Sequence, residues 1–224
     1  AGPVLADQSL PWISLASLAP NQQPAGFALE AQPAQLAQRA ADLLRADGVT
    51  DPLVVANDGR FLIDPSSPQS PAGVVWLGDA AGGAELAGQL SPDALLVGGP
   101  ELGSTVFAGR AGSASAGVRW LSAGPASDSL PASFVAAYQE LAGAPPSPQA
   151  VLAYDAANLL LDAIALAGQD RAPVSRQSVL QAVAELGEAG WQGLSGPVVW
   201  QSAGCPAPQP CWLRFDSPLI VHQW

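Results

Sequence analysis

The sequence predicts an α/β fold in which parallel sheets are flanked by helices. Three observations carry that expectation: short apolar runs suited to buried strands, longer segments with apolar residues at helical spacing, and regular alternation of the two. With 224 residues, 49% of them apolar, the chain is long enough to bury a core as one large domain or two small lobes.

Trp12–Ser17 is apolar and bounded by Pro11 and Pro20, as a buried strand would be. A helix follows, with Pro33 in its first turn, Leu36, Ala40, Leu43 and Leu44 on one face, and Gly48 placed to end it. Pro52–Ala56 reads as the next strand, so this stretch is expected to form a strand, helix, strand unit with a parallel pair and a right-handed crossover. Asn57 to Gly73 is rich in Gly, Pro, Ser and Gln and reads as a loop. The alternation continues with strands at Val74–Leu77, Ala94–Val97 and Val118–Ser122, separated by helices near Ala84–Leu90 and Leu102–Arg110. From Pro131 the period turns helical. Phe134, Val135, Tyr138 and Leu141 define one face, a longer face runs from Val151 to Ile164, and a third helix fits Ser175–Leu186. Pro197–Trp200, Trp212–Phe215 and Leu219–His222 read as closing strands.

Nineteen acidic residues against eight basic ones give a formal charge of -11, which opposes nucleic acids and anionic lipid surfaces at long range. No apolar run approaches the ~20 residues needed to cross a bilayer, because Gly, Pro or a charged residue interrupts each one. Cys205 and Cys211 enclose a Pro-rich loop that is poor in metal ligands, so a disulfide is the better reading. Closing so short a loop would stabilise by about 2 kcal/mol and points to an oxidising compartment.

Several chemistries lack their residues. His222 is the only histidine, which removes an HExxH zinc site, and no GxSxG nucleophile elbow occurs. Gly98-Gly99-Pro100-Glu101-Leu102-Gly103-Ser104-Thr105 has phosphate-loop glycine spacing, but Ser104 stands at the lysine position and Glu101 would repel a phosphate. No GxGxxG turn is present, so a dinucleotide-binding oxidoreductase is not expected. Carboxylates such as Asp93 and Glu101 read as surface or capping groups before they read as acid-base pairs. No cofactor or metal is expected, and the chain is not expected to be an enzyme.

Phe134-Val135-Ala136-Ala137-Tyr138-Gln139-Glu140, then Gly143, Pro145-Pro146-Ser147 and Ala153-Tyr154-Asp155-Ala156-Ala157-Asn158-Leu159-Leu160, resembles branched-chain amino-acid receptors among the type I periplasmic solute-binding proteins. Gly193-Leu194-Ser195-Gly196-Pro197-Val198 is similar to the family's turn into a late strand, and Pro11-Trp12-Ile13-Ser14 to its strand before the ligand loop. The resemblance implies two α/β lobes closing over a cleft, with an incomplete first lobe made of 1–28 and 125–203 and a second of 29–124 and 204–224. It also implies that ligand groups come from loops at the carboxyl ends of strands, where open sheets bind ligands. Those loops carry Ser14 and Ser17, Asn57 and Asp58, and Glu101 to Ser104. Pro100-Glu101-Leu102-Gly103 is similar to the segment whose glutamate receives the ligand ammonium, and Ser14 and Ser17 match hydroxyl and backbone donors. Tyr154 and Asp155 are expected to be structural.

The implied activity is extracytoplasmic binding of a small polar or amino-acid-like solute as the receptor of an ABC-type uptake system, periplasmic or extracellular, free or membrane-anchored. A membrane permease, or a chain supplying further first-lobe units, is the implied partner. The competing reading is a sensory or structural interaction domain that keeps this scaffold without its solute pocket.

Overall fold

A sheet whose strands are apolar on both faces has to be covered by helices, and this chain does so around two separate cores. The computed structural model describes residues 13–15, 26–56, 71–169, 173–203, 211–214 and 219–224. Contacts divide the chain into unit 1, from Ala1–Gln32 and Ala123–Pro218, and unit 2, from Pro33–Ser122 and Leu219–Trp224.

In unit 2, α1 (Pro33–Ala46) buries Leu36, Ala40, Ala41 and Leu44, and Gly48 follows it at φ 92°, a conformation in which a Cβ is disfavoured. Four parallel strands follow: β3 (Leu53–Ala56), β4 (Gly73–Leu77), β5 (Leu95–Gly98) and β6 (Arg119–Ser122). The last strand, β11 (Ile220–Gln223), runs antiparallel to β6, giving the order β11-β6-β5-β4-β3. Helices α2 (Ala80–Gln89) and α3 (Thr105–Ala111) connect them, and Val55, Val74, Trp76, Leu86, Leu96, Leu102, Phe107 and Trp120 form the core.

Unit 1 holds the sheet β1-β2-β10-β9, made of β1 (Ile13–Ser14), β2 (Gly26–Ala28), β9 (Trp200–Ala203) and β10 (Cys211–Arg214). β1, β2 and β10 are parallel, and β9 is antiparallel to β10. Three helices follow the second crossing between units: α4 (Ala132–Ala142), α5 (Pro148–Ala167) and α6 (Arg176–Glu188). Ser147 caps α5 through its hydroxyl, and Ser175 and Ser178 form a reciprocal capping box on α6. Leu152, Ala156, Leu159 and Ala163 of α5 pack with Val179, Ala182 and Val183 of α6 around Phe27, Leu29 and Trp200. A hairpin of β7 (Trp191–Gly193) and β8 (Gly196–Val198) precedes β9.

The structure revises four expectations. Trp12–Ser17 and Pro52–Ala56 do not form one parallel unit, because β1 pairs with β2 in unit 1 while β3 pairs with β4 in unit 2. Strands β2 and β7 were not expected; each is three residues long, too short to show a period. Residues 204–224 do not lie together in the second lobe. β10 is hydrogen-bonded between β2 and β9, so only Leu219–Trp224 joins unit 2, and residues 29–32 stay in unit 1. Finally, α5 is a 20-residue helix long and apolar enough, by length and composition, to cross a bilayer. Asp155 and Asp162 do not break it, since one is buried and satisfied and the other accepts from Trp191 Nε1 at 2.8 Å; its buried face is the core of unit 1. The loop 57–70 and Cys205 lie outside the described residues, as does the side chain of Cys211, so the expected bridge has no structural account.

Candidate functional site

Parallel strands deliver their carboxyl ends to one edge of a sheet. In unit 2 that edge receives Gly78-Asp79 after β4 and Gly99-Pro100-Glu101 after β5. The turn after β5 is tight. The Gly99 amide donates to Trp76 O at 3.1 Å, and a Cβ on Gly98 would fall on that same carbonyl and on Leu102. Pro100 then opens a 3-10 turn over Pro100–Gly103, whose fixed φ suits a first helical position and which places Glu101 in the first turn.

Glu101 is partly buried beside Gly99, with Leu102 fully buried next to it. Burial pushes its carboxyl above the ordinary carboxylate range, and a hydrogen bond from its own backbone N–H only partly offsets this. Among the described residues no Arg is ion-paired with it; the two ion pairs seen are Arg45 with Asp42 and Arg119 with Asp47. A carboxylate held in this way is short of a cation.

Ser104 has a structural task. Its hydroxyl donates to Glu101 O at 2.7 Å and accepts from Phe107 N at 3.2 Å, capping α3. It thereby fixes the turn that presents Glu101. Asp79 caps α2, its Oδ1 accepting from Gly82 N at 2.7 Å, while Trp76 Nε1 donates to Asp79 O at 2.9 Å. Sequence reasoning did not single out Asp79, although an acid directly after a strand and before a small-residue helix is the usual cap signal.

Ser14, in unit 1, pairs with Ala28 in the β1–β2 register, and its carbonyl accepts from Leu29 N at 3.0 Å. Ser17, Asn57 and Asp58 lie outside the described residues.

Unit 1 also contains charged groups that sequence reasoning did not select as a network. Asp155, 1% exposed, accepts from Leu194 N and Ser195 N, each at 2.8 Å. Two of the stretches that carry the family resemblance, one on α5 and one in the β7–β8 turn, are therefore joined by hydrogen bonds. Arg214, 2% exposed, donates through Nε and Nη2 to Pro197 O, and through Nη1 and Nη2 to Ser195 Oγ and O. Burial lowers its pKa from the ordinary arginine value, against the opposing fields of Asp155 and Glu30. Glu30 is fully buried and accepts from two backbone amides.

No protein-family model matches this chain, and no curated protein sequence matches it. Solved structures do. A leucine-binding protein from Thermotoga maritima matches at a TM-score of 0.75 and 17% identity, over 100% of this chain and 72% of that one. An ABC transporter substrate-binding protein from Desulfitobacterium hafniense, solved with Leu, matches at 0.70 and 16%, over 100% and 73%. A solute-binding protein from Rhodopseudomonas palustris, solved with 3,4-dihydroxybenzoic acid, matches at 0.65 and 17%, over 89% and 66%. At such identities the likeness establishes the fold alone: this chain has the type I periplasmic-binding-protein fold, the one shared by these solute-binding proteins.

Proposed function

We propose that the chain is an extracytoplasmic solute-binding module that takes a small amino-acid-like solute through its ammonium group and serves as the receptor of an ABC-type uptake system. No bond is made or broken. The observation that carries this reading is Glu101, a partly buried carboxylate at the carboxyl edge of a parallel sheet, with no arginine among the described residues ion-paired to it. An ammonium there would supply the missing counter-charge and lower the cost of keeping the carboxylate ionised.

The solved relatives include structures with leucine and with an aromatic acid that has no amine. Glu101 favours the first kind of solute, because it would repel a ligand that brings only a carboxylate. Ser104 belongs to the proposed site by fixing the Glu101 turn, and Ser14, Ser17, Asn57 and Asp58 are further ligand-binding candidates on the strength of the sequence resemblance alone. A membrane permease is the implied partner, in the periplasm or at the cell exterior.

Isothermal titration calorimetry against a panel of amino acids and of amine-free aromatic acids tests the proposal. Amino acids are expected to bind, and Glu101→Gln to weaken them at least about tenfold, the loss of one charge-assisted hydrogen bond. A folded protein that binds no member of the panel would overturn the transport reading in favour of a sensory or structural domain on the same scaffold. Binding of the aromatic acids alone would overturn the role of Glu101.

A further inference from the structure

The turn that carries Glu101 is tied to its neighbours in sequence: Leu102 N donates to Gly99 O at 3.2 Å, and Ser104 N and Oγ donate to Glu101 O at 3.2 and 2.7 Å. These bonds leave one carbonyl over. The ladder of α3 begins at Ser104 O, which accepts from Ala108 N at 3.1 Å, so Leu102 O lies just outside it. Leu102 is 0% exposed, and a buried carbonyl without a donor is costly. Its donor comes from 122 positions further along the chain, where Trp224 Nε1 donates to Leu102 O at 2.6 Å.

That donor is itself fixed. Trp224 N donates to Val118 O at 3.1 Å and Gly117 N to Trp224 O at 3.4 Å, which continues the β11–β6 ladder past the Gln223–Arg119 pair. The same two strands back the turn a second time, because a Cβ on Gly103 would come within 2.6 Å of the Trp120 indole, whose ring stacks on His222 at 4.1 Å. We propose that Trp224 is a positioning residue for the Glu101 site, its indole N–H holding the Leu102 carbonyl and with it the turn that presents the carboxylate. Without that bond the turn has to rotate until Leu102 O reaches water, and the rotation carries the adjacent Glu101 toward solvent as well. The inference rests on the reading of Glu101 as the anchor for a solute ammonium and adds the residue that sets where the anchor stands; every group in it belongs to unit 2.

Trp224 is 43% exposed, so its replacement does not hollow the core. Benzothienylalanine in place of Trp224 keeps the shape of the indole and puts a sulfur where the N–H stood, whereas a fluorotryptophan in place of Trp224 keeps the N–H and serves as the rescue. Each protein is followed by carbon NMR titration of the Glu101 carboxyl without ligand, by calorimetry with amino acids and by urea unfolding. With benzothienylalanine the Glu101 titration is expected to move down toward the ordinary carboxylate range as water reaches the carboxyl, and amino-acid affinity to fall about tenfold, as loss of one hydrogen bond implies. Fluorotryptophan is expected to restore both. A lower unfolding midpoint with an unmoved Glu101 titration would make Trp224 a stabilising residue only and overturn the proposal. Because the titration needs no ligand, it decides the role of Trp224 even if the wild type binds no amino acid, a result that would sink the solute reading alone. Should the benzothienylalanine variant fail to fold, the indole N–H resonance of Trp224 in the wild type decides: a shift with the midpoint of the Glu101 titration supports the positioning role, and a flat signal across that range sinks it.

Discussion

The two units treat buried charge in opposite ways. Unit 1 hides Glu30, Asp155 and Arg214 almost completely and gives each a set of protein partners: two amides for each acid, and the oxygens of Ser195 and Pro197 for the guanidinium. Unit 2 half-buries Glu101, supports its backbone from Ser104, and pairs its carboxylate with no described arginine. Full burial with full satisfaction marks scaffolding, since nothing further can be gained there. Partial burial with an unmet charge marks a place where a ligand gains what the protein leaves unsupplied.

The comparison is broken most forcefully in unit 1. Arg214→Met removes the donors to Ser195 and Pro197 and leaves Asp155 and Glu30 without the opposing charge, so a loss of about 3–5 kcal/mol is expected in urea unfolding. A loss under about 1 kcal/mol would mean that the network is not scaffolding. Next in size is Gly187→Ala, whose new Cβ would overlap the Trp200 indole, itself pinned by Nε1 donating to Val183 O at 2.9 Å. About 1–3 kcal/mol of overpacking is expected from the same unfolding experiment.

Glu101 should behave in the opposite sense. Its folded pKa is raised, so its contribution to stability is present below the ordinary carboxyl range and is lost as pH rises through the folded value. Glu101→Gln is therefore expected to raise the thermal midpoint at pH 7 and to leave it unchanged near pH 3. A lower midpoint at pH 7 would place Glu101 with the scaffold carboxylates. The smallest effect is expected at Leu141, 90% exposed on α4, where Leu141→Ser should change stability by no more than about 0.5 kcal/mol.

How much of this was legible in sequence follows from what each feature depends on. The helices were readable because their stripes are local: Leu36, Ala40 and Leu44 of α1 fall on one face whatever surrounds them. Strands β4 and β5 were readable because a parallel strand buried on both faces is a continuous apolar run, and edge strand β3, where Val54 is 48% exposed, because it is a short apolar run after a proline. Sheet membership was not. That β1 and β3 lie in different sheets, and that β10 inserts between β2 and β9, depends on pairings across up to 185 positions of chain, as between Gly26 and Cys211.

The site divides in the same way. Glu101 was visible as an acid in a glycine-rich turn after a strand, where a charge is conspicuous in a chain with few of them. The capping work of Ser104 was hidden in a phosphate-loop-like spacing, and only the bond to Phe107 N reveals it. Glu30 and Arg214 gave no signal because most of their partners are backbone groups, several of them far off in sequence, and a backbone amide or carbonyl looks the same at every position.

The most direct test of the central claim is the titration of the Glu101 side-chain carboxyl, followed by carbon NMR, with and without an equimolar mixture of the twenty common amino acids. The apparent pKa should start above the ordinary carboxylate range and fall when a solute ammonium settles beside it. A carboxyl that titrates in the ordinary range in the free protein, or one that is indifferent to every amino acid in the mixture, would contradict the account.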